Sequence, residues 1–178
     1  MAAQWIFGYG SLIWRPDFEY VSKEKAYIQG WQRRFWQASP DHRGTESSPG
    51  RVVTLVANTD TDCWGTAYKI DGDTAPSVLS KLDKREQAGY VQVRTTLYVD
   101  GIGPVEDVLV YVADRGDENY LGDTPIEDIA EVISRSHGPS GSNRDYLEKL
   151  AKALKYYDIE DPHVEQLHLL VSLKSRKS

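Results

Sequence analysis

The stretch Phe7–Trp14, which reads FGYGSLIW, decides the fold from the front of the chain. Trp5–Phe7 is a short apolar run typical of a strand, and it leads directly into a turn in which two glycines flank a tyrosine. Glycine lets a ligand come close to bare main-chain N–H groups. The turn is therefore a candidate cradle for an oxyanion or a carboxylate. A tight loop between two core strands is an equal alternative from these residues alone.

The residues around this turn do not match three well-known functional motifs. No Gly-Lys-Ser/Thr follows, as a phosphate loop would require, and the third glycine and helix start of a dinucleotide fingerprint are missing. Ser11 is followed by Leu12 and Ile13, so the Gly-x-Ser-x-Gly pattern of serine hydrolases is absent as well.

The chain beyond this turn divides into a β-rich front and a helical back. Strand signals dominate up to about residue 113, because β-branched and aromatic runs alternate with Gly, Pro, Asn and Asp. A proline near its start and apolar residues at helical spacing predict one short helix over Pro76–Asp83. The predicted strands are Ala26–Trp31, Arg33–Gln37, Arg51–Val56, Cys63–Tyr68, Val91–Val99 and Val105–Val112.

After residue 120 the apolar period becomes helical. We expect one helix capped by Thr124 with Pro125 at its first position, and a second capped by Asn143 after the turn Gly138–Gly141. A third is predicted over Pro162–Leu173. Together the elements predict a single α+β domain over residues 1–178, with a small, mixed, barrel-like sheet and helices packed outside.

The composition and net charge of the chain limit the classes of function that it can have. Among 178 residues, 40% are hydrophobic and 27% are charged, which is typical of a soluble globular protein. The net charge of −6 argues against nucleic acid as a partner. No signal peptide or membrane span is expected, so a cytoplasmic protein, a monomer or weak dimer, is predicted. A single cysteine and four scattered histidines give no reason to expect a metal or another cofactor.

Glu86 is the candidate for proton chemistry. It lies just past the predicted helix in the charged run Asp83–Glu86, and such a run is more often a solvated surface. However, Gly89-Tyr90 predicts a turn into the next strand, and a carboxylate at a helix-to-strand junction can point into a cavity. If desolvated there, its pKa would rise toward the range useful for general acid/base catalysis.

The loop Ser39–Pro49 contains Asp41-His42-Arg43-Gly44 between two predicted strands. Loops held by rigid strands often carry sites, and Arg43 offers a bidentate fork to a carboxylate. A solvated loop has about equal weight. Cys63 begins a strand pattern and is expected to be structural.

The ordered motifs resemble the ChaC-type glutathione-specific γ-glutamylcyclotransferases over almost the whole chain. The motifs that carry the resemblance are Phe7–Trp14, Arg33–Gln37, Asp41–Gly44, Pro49–Leu55, Leu82–Glu86 with Gly89-Tyr90, Tyr120–Gly122 and Gly138–Leu147. Gln87-Ala88 departs from the more basic, glycine-rich pair expected in the family, which leaves Glu86 untouched.

The resemblance implies cleavage of the γ-glutamyl bond of glutathione to 5-oxoproline and cysteinylglycine, without metal or cofactor. It implies that Glu86 is the catalytic carboxylate. Tyr146 is an additional candidate hydrogen-bond donor. The same resemblance places the substrate cradle at Gly8, Tyr9, Gly10, Ser11, Leu12 and Ile13. Two alternatives remain open, namely a cyclotransferase for another γ-glutamyl amine and a non-catalytic amino-acid-binding module of the same fold.

Overall fold

The computed structural model describes residues 1–175 and contains a closed barrel of five strands in the order β1-β3-β2-β4-β5. β1 is antiparallel to β3 and parallel to β5, so the sheet is mixed. The predicted α+β fold with a mixed, barrel-like sheet is confirmed. The strands are β1 Gln4–Gly8, β2 Ser22–Ser39, β3 Gly50–Ile70, β4 Tyr90–Val99 and β5 Gly103–Ala113.

Two pairs of predicted strands are each one long strand. The expected breaks fall at Gln32 in β2 and at Ala57–Asp62 in β3. Gly30 has φ +80°, which lets β2 change direction without ending. In β3, Asn58 Nδ2 donates to Gln32 Oε1 at 3.2 Å and Thr61 Oγ1 donates to the Trp31 carbonyl at 3.0 Å. These polar side chains thus link the two strands instead of ending them.

The helices agree with the predictions in number and place. They are α1 Ala75–Arg85, α2 Ile126–Arg135, α3 Asn143–Tyr156 and α4 Pro162–Ser175, and a small hairpin pairs β6 His137–Gly138 with β7 Gly141–Ser142. Ser11–Ile13 forms a single 3-10 turn directly after β1.

Both predicted helix caps are wrong. The Ser142 hydroxyl caps α3 by accepting from Asp145 N. Asn143 is instead fully buried, and its amide bridges the main-chain N and O of Arg51 at 2.7 and 2.8 Å, as a neighbouring strand would. Pro125 precedes the first residue of α2, and the hydroxyl of Thr124 accepts from the Arg51 guanidinium.

The residues fall into two compact units. The first comprises Met1–Gln32 and Leu55–Asp114, and the second comprises Arg33–Thr54 with the chain from Arg115 onward. The single-domain prediction therefore stays a prediction. In the first unit, α1 buries apolar side chains against strand residues in a core of Ile6, Leu12, Tyr68, Ile70, Ala75, Val78, Leu82, Leu109 and Tyr111.

In the second unit, α2, α3 and α4 contact one another in every pair. Each helix contributes fully or almost fully buried aliphatic side chains, which are Ile129, Ile133, Leu147, Leu150, Val164 and Leu167. Removing such side chains from water is the main stabilising contribution to helix packing of this kind.

Candidate active site

The turn after β1 is built on close main-chain packing. Gly8 faces Thr66 across the β1–β3 pair, and a Cβ on Gly8 would lie 2.8 Å from Leu12 Cβ. On β3, a Cβ on Gly65 would lie 2.2 Å from the Gly8 carbonyl oxygen. Side chains at these two positions would push the turn away from the sheet. Gly10 has φ −128°, so a positive φ is not the reason for glycine there.

Side chains hold the carbonyls of this turn. Tyr68 Oη donates to the Leu12 carbonyl at 2.5 Å, and Lys23 Nζ donates to the Ile13 carbonyl at 2.6 Å. Ile13 N and Arg15 N donate back to the Gly10 and Ser11 carbonyls at 2.9 and 2.8 Å. These hydrogen bonds tie the turn to β2 and β3 through Lys23 and Tyr68.

The main-chain N–H groups of the same turn differ from its carbonyl groups in their hydrogen bonding. Within residues 1–175, no hydrogen bond is found from the main-chain N–H of Gly10, Ser11 or Leu12. Consecutive amides without acceptors create a positive main-chain potential, which suits a carboxylate or an oxyanion. That the turn binds the substrate stays a prediction.

Glu86 directly follows α1, and its N–H donates to the Leu82 carbonyl at 2.9 Å. Gly89, with φ +84°, turns the chain into β4, so the predicted helix-to-strand junction is present. The Glu86 side chain is only 17% exposed, whereas Asp83 and Lys84 in the same charged run are exposed. Glu86 is therefore not part of a fully solvated face.

Arg85 connects Glu86 with the turn. Its Nη2 donates to Ser11 Oγ at 2.8 Å, and its Nη1 donates to the Arg15 carbonyl at 2.7 Å. Its Nε lies 3.6 Å from Glu86 Oε1. Ser11 and Glu86, two predicted site residues 75 positions apart in sequence, thus contact one guanidinium group.

Tyr111 on β5 completes this part of the site. Its hydroxyl donates to Asp83 Oδ1 at 2.6 Å, and Tyr9 Oη donates to the Tyr111 carbonyl at 2.5 Å. Burial raises the pKa of Tyr111 well above its ordinary value, and the hydrogen bond to Asp83 and the negative charges of Asp83 and Glu86 raise it further. Tyr111 therefore remains a neutral donor at all ordinary pH values.

Arg43 and Tyr146 belong to the second unit. Arg43 Nη1 lies 3.3 Å from Asp145 Oδ2 and 3.2 Å from the Ser142 carbonyl, and the guanidinium carbon lies 5.6 Å from the centre of the Tyr146 ring. Tyr146 Oη accepts from Val53 N at 3.3 Å. Since Arg43 already pairs with a protein carboxylate, its role and that of Tyr146 as substrate contacts stay predictions.

The sequence did not reveal Arg85, Asp83 or Tyr111 as site residues. Arg85 and Asp83 belong to a charged run that looks solvated, and Tyr111 looks like an ordinary strand residue. Only the position of Arg85 beside Glu86 offered a signal.

No metal cluster is formed by His, Cys, Asp and Glu side chains within residues 1–175. The described helices are also all too short or too polar to cross a membrane.

Together, these features define the class: an α+β protein with a closed barrel, in which one arginine joins a largely shielded carboxylate to a glycine-rich turn. A family model described as ChaC-like protein matches residues 4–174. The chain belongs to the ChaC-like family.

Three relatives illustrate the similarity. Glutathione-specific gamma-glutamylcyclotransferase 1 of Danio rerio is 40% identical to this chain, and the similar region covers 90% of this chain and 84% of the Danio rerio protein. The glutathione-specific gamma-glutamylcyclotransferase of Schizosaccharomyces pombe is 37% identical, with 98% and 95% coverage. A crystal structure of the glutathione-specific gamma-glutamyl cyclotransferase from yeast has a TM-score of 0.90 at 30% identity, with 97% and 96% coverage.

Proposed function

We propose that this protein is a γ-glutamylcyclotransferase that degrades glutathione to 5-oxoproline and cysteinylglycine. One observation carries the mechanism: Ser11 of the amide-lined turn and Glu86 meet at the guanidinium of Arg85. The names of the relatives in Danio rerio, Schizosaccharomyces pombe and yeast support glutathione as the substrate.

The reaction is an internal aminolysis. The α-amine of the glutamyl group attacks its own γ-carbonyl carbon, a new C–N bond closes the ring, and the bond to the cysteine nitrogen breaks. No water is consumed. Because the nucleophile comes with the substrate, the protein has mainly to hold the glutamyl chain in a near-attack conformation.

Glu86 handles the protons. As a carboxylate it takes a proton from the substrate α-ammonium so that the neutral amine can attack, and as an acid it gives that proton to the cysteine nitrogen as the bond breaks. The attacking nitrogen loses a second proton as the lactam forms, and the released amine takes up a proton to become an ammonium, so the carboxylate is regenerated. The partly buried position of Glu86 keeps the proton from bulk water during this sequence.

The amides of Gly10, Ser11 and Leu12 supply the electrostatic part. They can stabilise either the substrate α-carboxylate or the oxyanion of the tetrahedral intermediate. In this proposal the cradle is Gly8–Ile13.

The protein side chains of the site do not favour a covalent mechanism. Ser11 Oγ accepts from Arg85, and a guanidinium stays protonated and cannot act as the base that activates a serine. Cys63 is buried in β3, with its sulfur 4.0 Å from the Trp64 carbonyl oxygen. Within residues 1–175, the contacts of Ser11 include no neighbouring base that could activate its hydroxyl.

The acidic composition supports an enzyme without a nucleic-acid partner. A lone buried cysteine is compatible with a reducing compartment. In this proposal the enzyme acts in the cytoplasm, and its oligomeric state, a monomer or weak dimer, stays a prediction.

The test is to incubate the purified protein with glutathione and to quantify 5-oxoproline, cysteinylglycine and glutamate. We expect the first two in equal amounts, no glutamate, and slower turnover of γ-glutamyl-alanine and γ-glutamyl-lysine. EDTA should leave the rate unchanged. Faster turnover of another γ-glutamyl amine would contradict the substrate, and binding of glutathione without any product would indicate the non-catalytic module.

A further inference from the structure

We infer that Arg85 is a positioning residue that holds the amide-lined turn and the Glu86 carboxylate in one fixed arrangement. This inference rests on the proposed function, because it assigns Arg85 a task in the same reaction. Arg85 does not itself have to touch the substrate.

The Arg85 guanidinium makes contacts in several directions. Each of the three guanidinium nitrogens faces a different group: Nη2 faces Ser11 Oγ at 2.8 Å, Nη1 faces the Arg15 carbonyl at 2.7 Å, and Nε faces Glu86 at 3.6 Å. Nη1 also lies 3.2 Å from the Pro16 carbonyl oxygen and 3.5 Å from Asp17 Oδ2, so Arg85 pairs with a carboxylate just after the turn as well as with Glu86. A planar, rigid fork can make these contacts together, whereas a lysine ammonium on a flexible stem cannot.

The Arg85 and Glu86 side chains are both largely buried. The Arg85 side chain is 20% exposed and that of Glu86 is 17% exposed, so water screens their interaction less than it screens an ordinary surface ion pair. Arg94, by comparison, is 40% exposed and forms a 3.8 Å pair with Asp107, which is 76% exposed. The two arginines of the same unit therefore have different tasks.

Arg85 connects two segments that are far apart in the chain, namely the end of α1 and the turn after β1. Arg85 donates to the carbonyls of Arg15 and Pro16, which follow shortly after the 3-10 turn. It also donates to the hydroxyl of Ser11, which is the first residue of that turn. The Arg85 backbone ends α1, and Glu86 follows it. The side chain thus fixes the distance between the end of the helix and the turn.

This arrangement has a consequence for the rate. A base and an anion-binding turn that drift by about 1 Å can lose on the order of 10²-fold in turnover, although substrate still binds. Loss of the fork should therefore lower kcat much more than it raises KM. Since the Ser11 hydroxyl acts through Arg85, its loss should add little once the fork is gone.

The experiment uses the full chain with Arg85→Lys, Ser11→Ala, their double variant, and Arg94→Gln as the matched control. We expect Arg85→Lys to lower kcat roughly 10²-fold, with a smaller change in KM and a thermal midpoint close to that of Arg94→Gln. Ser11→Ala should cost less, and the double variant should equal Arg85→Lys, because contacting residues are not additive. Arg94→Gln should match the wild type in kcat.

Wild-type kcat in Arg85→Lys would overturn the inference, as would losses in the double variant that multiply those of the single variants. If Arg85→Lys is poorly folded, Arg85→Ala assayed with and without millimolar alkylguanidinium decides: restored kcat supports the positioning role, and absence of rescue in folded protein contradicts it. Lack of 5-oxoproline from the wild type would instead refute the proposed function.

Discussion

At the scale of the residue, the charged run Asp83–Glu86 shows what sequence can and cannot reveal. Glu86 was predicted as a candidate because a helix-to-strand junction can aim a carboxylate inward, and the structure shows it largely shielded. Arg85 could not be predicted, since its acceptors on Ser11, Arg15 and Pro16 lie about 70 residues earlier in the chain. Sequence patterns report faces of elements, but not which distant carbonyls a long side chain reaches.

Glu86→Gln tests the catalytic assignment at this scale. The amide keeps the size of the carboxylate but can no longer accept and return a proton, so we expect intact folding, retained binding of glutathione and a kcat reduced by about 10²–10⁴-fold. Steady-state assays of 5-oxoproline and a thermal melt measure both properties. A loss of kcat below about tenfold in folded protein would contradict the assignment.

At the scale of the element, strand positions were predicted well and strand lengths were not. Breaks were predicted at Gln32 and at Ala57–Asp62, but side-chain hydrogen bonds between β2 and β3 link the two strands at these points. Asn143 shows the same effect in a helix, where a residue typical of caps satisfies the main chain of Arg51 instead. In each case a long-range hydrogen bond overrides the local preference.

The start of α4 is attached to the second half of β2 by two polar contacts. Arg33 Nη1 lies 2.6 Å from Asp161 Oδ2, and both side chains are buried or nearly so. Phe35 N donates to His163 Nε2 at 3.0 Å, which requires that nitrogen to be unprotonated. Burial first, and then the positive charge of Arg34, lower the pKa of His163 from its ordinary value to about 4 in total.

This contact predicts an acid-sensitive contribution to stability. An unfolded histidine has a pKa of about 6.5, so between pH 6.5 and pH 4 the unfolded chain binds a proton that the folded chain excludes. The contribution is therefore complete above about pH 6.5, falls as the pH is lowered toward 4, and amounts to about 3 kcal/mol as an order of magnitude.

Urea unfolding of the wild type, His163→Gln and His168→Gln as a function of pH measures it. His168 is an exposed histidine on the same helix and serves as the control. We expect the free energy of unfolding to fall less steeply between pH 6.5 and pH 4 in His163→Gln than in the other two proteins. Parallel profiles for all three would show that His163 makes no such contribution.

At the scale of the whole molecule, the sequence predicted a β-rich front and a helical back. The structure joins part of the front, Arg33–Thr54, with the helical back in one compact unit. This grouping was not predictable, because β2 and β3 each contribute to both units and nothing in their local pattern marks the division. Closure of the barrel also depends on the parallel β1–β5 pair, whose strands are about 100 residues apart in the chain.

The central claim is that the substrate α-amine, and not water, takes the glutamyl carbonyl from the cysteine nitrogen. The most direct measurement is turnover of glutathione in water labelled with heavy oxygen, with mass spectrometry of every product. Internal aminolysis consumes no water, so we predict unlabelled 5-oxoproline and unlabelled cysteinylglycine in equal amounts. Labelled glutamate, or heavy oxygen in the 5-oxoproline, would show attack by water and would contradict the mechanism.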